Sequence, residues 1–143
     1  MSLTSAIPAL PVRDVATAVA FYCSRLGFAQ RHVELSFAVL GLDDVELHLW
    51  QADDASWSDR ADLATRPVRS GAESFLAGTA SCRLQVGAPD ELEALFRLCA
   101  DGEVLHPVSQ GGPESTTFGV RQFHVLDRDG NLVTYFVRLP ETP

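Results

Sequence analysis

The chain has 143 residues, 46% hydrophobic and 21% charged, which is enough for one sizeable core and too few for two large domains. With 11 Lys and Arg against 19 Asp and Glu, its formal net charge is −8, a sign that repels phosphate backbones and argues against nucleic acid as a partner. No apolar run approaches the ~20 residues of a membrane span, and residues 1–10 lack the basic-then-apolar layout of a signal peptide, so a soluble, cytoplasmic protein without membrane partners is expected.

In chain order, residues 6–12 are apolar but carry Pro8 and Pro11, which suits only a short or edge strand. Asp14 is placed to cap a helix whose apolar face is Val15, Val19, Tyr22 and Leu26, and Gly27 closes it. Residues 28–35 and 36–42 read as strands, Asp43-Asp44 as a turn, and residues 45–50 as a fourth strand. The pattern then breaks over a polar stretch with Pro67 and Gly71, read as an irregular or briefly helical linker between modules. It restarts with a strand at 79–86 and a helix opened by Pro89 or Asp90, running through Leu92, Leu95, Phe96 and Cys99 to Gly102. Residues 104–108 are expected as a strand, 109–115 as a loop, and 116–126 as a strand. Asp127-Arg128-Asp129-Gly130 reads as a tight turn before a last strand at 131–139.

Two copies of a β-α-β-β-β unit in one chain predict an α+β fold: modules at 1–52 and 78–143, joined by a linker at 53–77, making one compact domain. Each module buries the helix-covered face of its curved mixed sheet and leaves the opposite face open as a cup for a small molecule. Strand alternation sets Glu46, His48 and Trp50 on one face against Leu47 and Leu49. It sets Ser81, Arg83 and Gln85 against Cys82, Leu84 and Val86, and Leu132, Thr134 and Phe136 against Val133, Tyr135 and Val137. The polar-leaning sets are expected to line the cup. Cys23, Cys82 and Cys99 are odd in number and have no metal-like spacing, so they read as free buried thiols of a reducing compartment. No Gly-rich phosphate loop, Gly-x-Ser-x-Gly motif or Cys/His dyad is present.

Val12-Arg13-Asp14-Val15, Ala20-Phe21-Tyr22, Leu26-Gly27-Phe28, Asp43-Asp44-Val45-Glu46-Leu47 and Leu126-Asp127-Arg128-Asp129-Gly130-Asn131 together resemble the glyoxalase/bleomycin-resistance/extradiol-dioxygenase (vicinal oxygen chelate) superfamily over nearly the whole chain. That resemblance implies a divalent metal held by His, Gln or Glu, one each from the first, fourth, fifth and eighth strands. Here the corresponding positions are Ile7, Glu46, Ser81 and Thr134, of which only Glu46 is a candidate ligand, so no metal, cofactor or catalytic residue is expected. His48 beside Glu46 leaves a rearranged metal site as the minority reading.

Val33-Glu34, Ser36-Phe37-Ala38, Ala80-Ser81-Cys82-Arg83-Leu84, Asp90-Glu91-Leu92 and Thr117-Phe118-Gly119 are similar to the bleomycin-resistance branch, whose members hold a drug without chemistry. The branch implies a homodimer that exchanges its N-terminal strand, with Pro8 and Pro11 stiffening the hook and the ligand in the dimer crevice. Bleomycin-type ligands are planar and cationic, which an acidic protein with aromatic platforms suits. The expected ligand-binding residues are Phe37, Trp50, Trp57 and Phe118 as platforms, with Glu46, His48, Ser81, Arg83 and Thr134. The alternatives are a metal-dependent lyase or dioxygenase with altered ligands, and a binding module for another metabolite.

Overall fold

The computed structural model describes residues 1–52, 65, 67 and 71–141. The elements are β1 (Ala9–Val12), α1 (Val15–Leu26), β2 (Ala29–Val33), β3 (Phe37–Leu42), β4 (Val45–Gln51), β5 (Ser81–Gln85), α2 (Pro89–Asp101), β6 (Glu114–Ser115), β7 (Val120–Leu126) and β8 (Leu132–Arg138). The fold is α+β, built from two βαβββ modules with one four-stranded mixed sheet each. The first sheet runs β1-β4-β3-β2 and the second β5-β8-β7-β6. In both, the opening strand lies parallel to the closing one and the remaining pairs are antiparallel. The chain divides into a first compact unit of Met1–Ala80 with Arg128–Asn131, and a second of Ser81–Asp127 with Leu132–Pro143.

Local chemistry accounts for the helices. The Asp14 carboxylate accepts the Thr17 N–H at 2.9 Å and caps α1, while Gly27 at φ 77 turns its end and donates to the Tyr22 carbonyl. Val15, Val19, Tyr22 and Leu26 are buried as their spacing predicts. In α2, Pro89 starts the helix, and Leu92 and Cys99 are its buried residues. β1 is an edge strand, the place where prolines with no N–H do least harm, and the Pro8 carbonyl accepts the His48 N–H at 3.0 Å.

The sixth strand is not where periodicity puts it. Leu105 makes only an isolated bridge to Val125, and Pro107–Ser109 form a single 3-10 turn. Pro107 has no N–H for a ladder, and the His106 Nδ1 accepts the Val108 N–H at 3.1 Å, which winds the chain out of line. The strand forms instead at Glu114–Ser115, within the expected loop, pairing Glu114 with Gln122 and Ser115 with Arg121. β7 correspondingly starts at Val120, after a turn that carries Gly119 at φ 84. Of the thiols, Cys82 and Cys99 are buried, whereas Cys23 on α1 is half-exposed rather than buried. Burial pushes both the Cys82 and the Cys99 thiol up to about 11, away from nucleophilic chemistry.

The Asp-Arg-Asp-Gly-Asn turn does structural work inside the first unit. Asn131 is fully buried, donates from Nδ2 to the Pro11 carbonyl at 2.8 Å, and accepts the Ala80 N–H on Oδ1 at 3.1 Å. Asp129 accepts the Arg13 backbone N–H at 2.9 Å and its guanidinium at 3.2 Å. Gly78 sits at φ +79 so close to the Asp129 carbonyl that a Cβ there would collide with it.

Candidate functional site

On the first unit's sheet, register aligns Phe37 with Trp50, Val39 with His48 and Gly41 with Glu46. Leu47 and Leu49 are wholly buried behind them, leaving Glu46, His48 and Trp50 half-buried on the opposite face. The Phe37 and Trp50 rings pack in a tilted pair, centroids 4.4 Å apart and planes inclined by 47°, and the His48 ring meets Phe37 edge-on at 5.1 Å. His48 Nε2 donates to the Glu46 carboxylate at 2.8 Å. The structure therefore brings Phe37, Glu46, His48 and Trp50 together.

Three neighbours escaped the sequence reading. A bulge between Gln30 and His32 frees Arg31 from strand alternation, and its guanidinium lies over Gly41 and 3.9 Å from Glu46. A Cβ at 41 would collide with that guanidinium, and a glycine inside a strand pattern was the available signal. Gly71 lies against the Trp50 indole, where a Cβ would again collide, so Trp50 is packed between Phe37 and a bare backbone. Trp57 lies outside the described residues.

On the second unit's sheet, Ser81, Arg83 and Gln85 are exposed, and Cys82 and Leu84 are buried, as alternation predicts. Arg83 pairs in register with Thr134, and Thr134 with His124. Thr134, expected to line an open face, is only 2% exposed because both faces of β8 are covered along Val133–Val137. Its hydroxyl shares a 2.6 Å hydrogen bond with His124 Nδ1. Arg83 donates to the Gln122 side-chain oxygen at 2.9 Å and lies over two rings, Phe136 at 4.8 Å and Phe118 at 6.0 Å from their centres. Phe118 is two-thirds exposed.

Desolvation holds the His124 imidazole below its ordinary 6.5; Glu114 opposes that shift, while His106 and Arg83 reinforce it. The unfolded chain therefore takes up this proton first as the pH falls, so the stability contributed by the neutral ring is present above about 6.5 and is lost below it. His124→Asn is expected to flatten the fall in unfolding free energy between pH 7 and 5 relative to the unaltered chain, as read from urea midpoints. Parallel pH profiles for the two proteins would contradict this role.

The four positions corresponding to the superfamily's metal ligands do not make a donor set. Ile7 is apolar, Glu46 is bound to His48, Ser81 is an exposed hydroxyl, and the Thr134 hydroxyl is spent on His124. Among the described residues no group of three or more His, Cys, Asp and Glu side chains is placed to hold a metal ion. No helix among them is long and apolar enough to cross a membrane.

The family model described as Glyoxalase/Bleomycin resistance protein/Dioxygenase superfamily matches residues 5–135. The chain belongs to this superfamily. A bleomycin resistance protein of Geobacillus stearothermophilus is 41% identical over 137 residues, 96% of this chain and 98% of that protein. The structure of a bleomycin-binding protein complexed with bleomycin is 25% identical, with a TM-score of 0.63 over 97% of this chain and 100% of that one. A lactoylglutathione lyase from Agrobacterium tumefaciens has a TM-score of 0.68 over 95% of each chain at 17% identity, a likeness of fold alone. The superfamily's own description covers both resistance proteins and enzymes, so side chains must separate them.

Proposed function

We propose that this protein is a non-catalytic drug-binding protein that sequesters bleomycin or a similar planar cationic antibiotic, acting as a cytoplasmic homodimer. The observation that carries this reading is the 41% identity to a bleomycin resistance protein along almost the full length of both chains. The chemistry of the first unit supports it. Phe37 and Trp50 offer an aromatic surface near the Glu46 carboxylate, which suits a flat ring bearing positive charge. In the second unit Phe118 offers an exposed ring, and Ser81 and Arg83 offer donors to the drug's amide carbonyls. The poor donor set at Ile7, Glu46, Ser81 and Thr134 favours holding a molecule over transforming it.

Titrating the full chain with metal-free and copper-loaded bleomycin, while following tryptophan fluorescence, is expected to give saturable quenching at roughly micromolar drug or below. Absence of saturation at roughly a hundred times that concentration would remove bleomycin as the ligand. Sedimentation at the same protein concentration is expected to return the mass of two chains, and a monomer that still binds drug would remove the dimer crevice. About one tightly held divalent ion per chain in the purified protein would overturn the metal-free reading.

A further inference from the structure

Two arginines on the second unit's sheet carry charge that no described carboxylate answers. Arg83 on β5 and Arg138 on β8 both set their guanidinium carbon over Phe136, at 4.8 and 5.7 Å from the ring centre. Among the described residues neither lies within ion-pair reach of an Asp or Glu, whereas Arg13, Arg31 and Arg121 do, with Asp129, Glu46 and Glu93. In a chain of net charge −8 this is the minority sign, so general electrostatics does not explain its clustering around one ring.

Arg83 is also held in a particular way. Its guanidinium carbon lies over Phe136, and one corner, Nη2, donates to the side-chain oxygen of the buried Gln122 at 2.9 Å. The Phe136 ring and the Gln122 oxygen thus give the guanidinium two separate contacts. A guanidinium has five N–H donors, and among the described residues its one hydrogen-bond partner is neutral, so an edge of the fork remains for another acceptor. A fork already held at one corner and over a ring matches a carboxylate, sulfonate or phosphate bidentately and has less rotamer entropy to lose than a free arginine. Phe118, 66% exposed and 6.0 Å from the same guanidinium, supplies open apolar surface beside it.

We infer that this face of the second unit is a binding site for the anionic group of a flat, apolar ligand, such as an aromatic carboxylate, with the anion on Arg83 and the ring on Phe118. Arg138, over the same Phe136 ring, adds positive potential. Arg83 and Phe118 are also part of the drug surface proposed above, but preference for an anion is a separate property, because a cationic drug draws no charge attraction from Arg83.

Calorimetric titration of the full chain with 2-naphthoate, its neutral alcohol 2-naphthalenemethanol, and the cation 2-naphthylmethylammonium separates charge from ring. Naphthoate is expected to bind about tenfold more tightly than the alcohol, with the ammonium weakest despite the chain's negative charge. Arg83→Gln should bring naphthoate to within about twofold of the alcohol, while Phe118→Ala should weaken the two by a similar factor. Arg83→Lys, which keeps the charge and loses the fork, is expected to cost about threefold or more for naphthoate and to hold if the glutamine variant fails to fold. Naphthoate binding no tighter than the alcohol, or a naphthoate advantage that survives Arg83→Gln in a chain with an unchanged circular dichroism melt, overturns the inference. A failed bleomycin titration leaves these outcomes untouched, so the two readings fall separately.

Discussion

Replacing Asn131 with alanine is expected to lower the unfolding free energy by about 3 kcal/mol, a drop of roughly 10 °C in Tm. The side chain is fully buried and satisfies backbone groups from two distant segments, the Pro11 carbonyl at 2.8 Å and the Ala80 N–H at 3.1 Å. Truncation removes the acceptor of the part-buried Ala80 N–H and leaves a small cavity; Pro11 retains a weaker bond from the Gly78 N–H at 3.3 Å. Asn131→Asp keeps an acceptor for Ala80 but sets a second oxygen against the Pro11 carbonyl, so it should be no better tolerated at neutral pH. Arg13→Ala is the control. Its guanidinium is largely exposed, and Asp129 keeps the Arg13 backbone N–H, so a loss below about 0.5 kcal/mol is expected. Denaturant midpoints measured at constant m decide the comparison, and an Asn131→Ala variant as stable as Arg13→Ala would refute the structural reading of this turn.

Trp50→Ala is expected to weaken bleomycin about thirtyfold, near 2 kcal/mol, if the Phe37–Trp50 surface is the platform proposed above. The indole is half-buried between Phe37 and Gly71, so its plane is set before any ligand arrives. Trp50→Phe should restore much of the loss, since a ring is kept without the indole N–H. Titrations monitored by calorimetry rather than fluorescence avoid removing the reporter along with the ring. An affinity within twofold of the unaltered chain would dismiss Trp50 as a contact and shift attention to Phe37 and to Trp57.

How far the candidate site was legible from sequence depends on how far apart its partners lie. Glu46, His48 and Trp50 share a face because alternation along one strand is a local rule, and the wholly buried Leu47 and Leu49 obey it. Thr134 breaks the expectation because β8 is covered on both faces, a property of its neighbours rather than of its own pattern. Arg31 reaches Glu46 only because a bulge removes it from alternation, and Gly71 reaches Trp50 from outside the sheet.

By itself the sequence determined the doubled βαβββ plan, both helices with their ends, and which side of β4 and β5 faces the apolar core. These follow from side-chain period, capping chemistry and turn residues, all set within a few positions along the chain. Tertiary structure alone decided where the sixth strand pairs. Val104 to Val108 has the composition of a strand, but Pro107 withholds an N–H and His106 captures another, so the ladder closes at Glu114 and Ser115 instead. It also decided that Asn131 holds Pro11 and Ala80, and that Arg83 is clamped between Phe136 and Gln122. Those contacts join residues tens of positions apart, and a hydrogen bond or a ring stack acts only between groups that folding has already brought within a few ångströms.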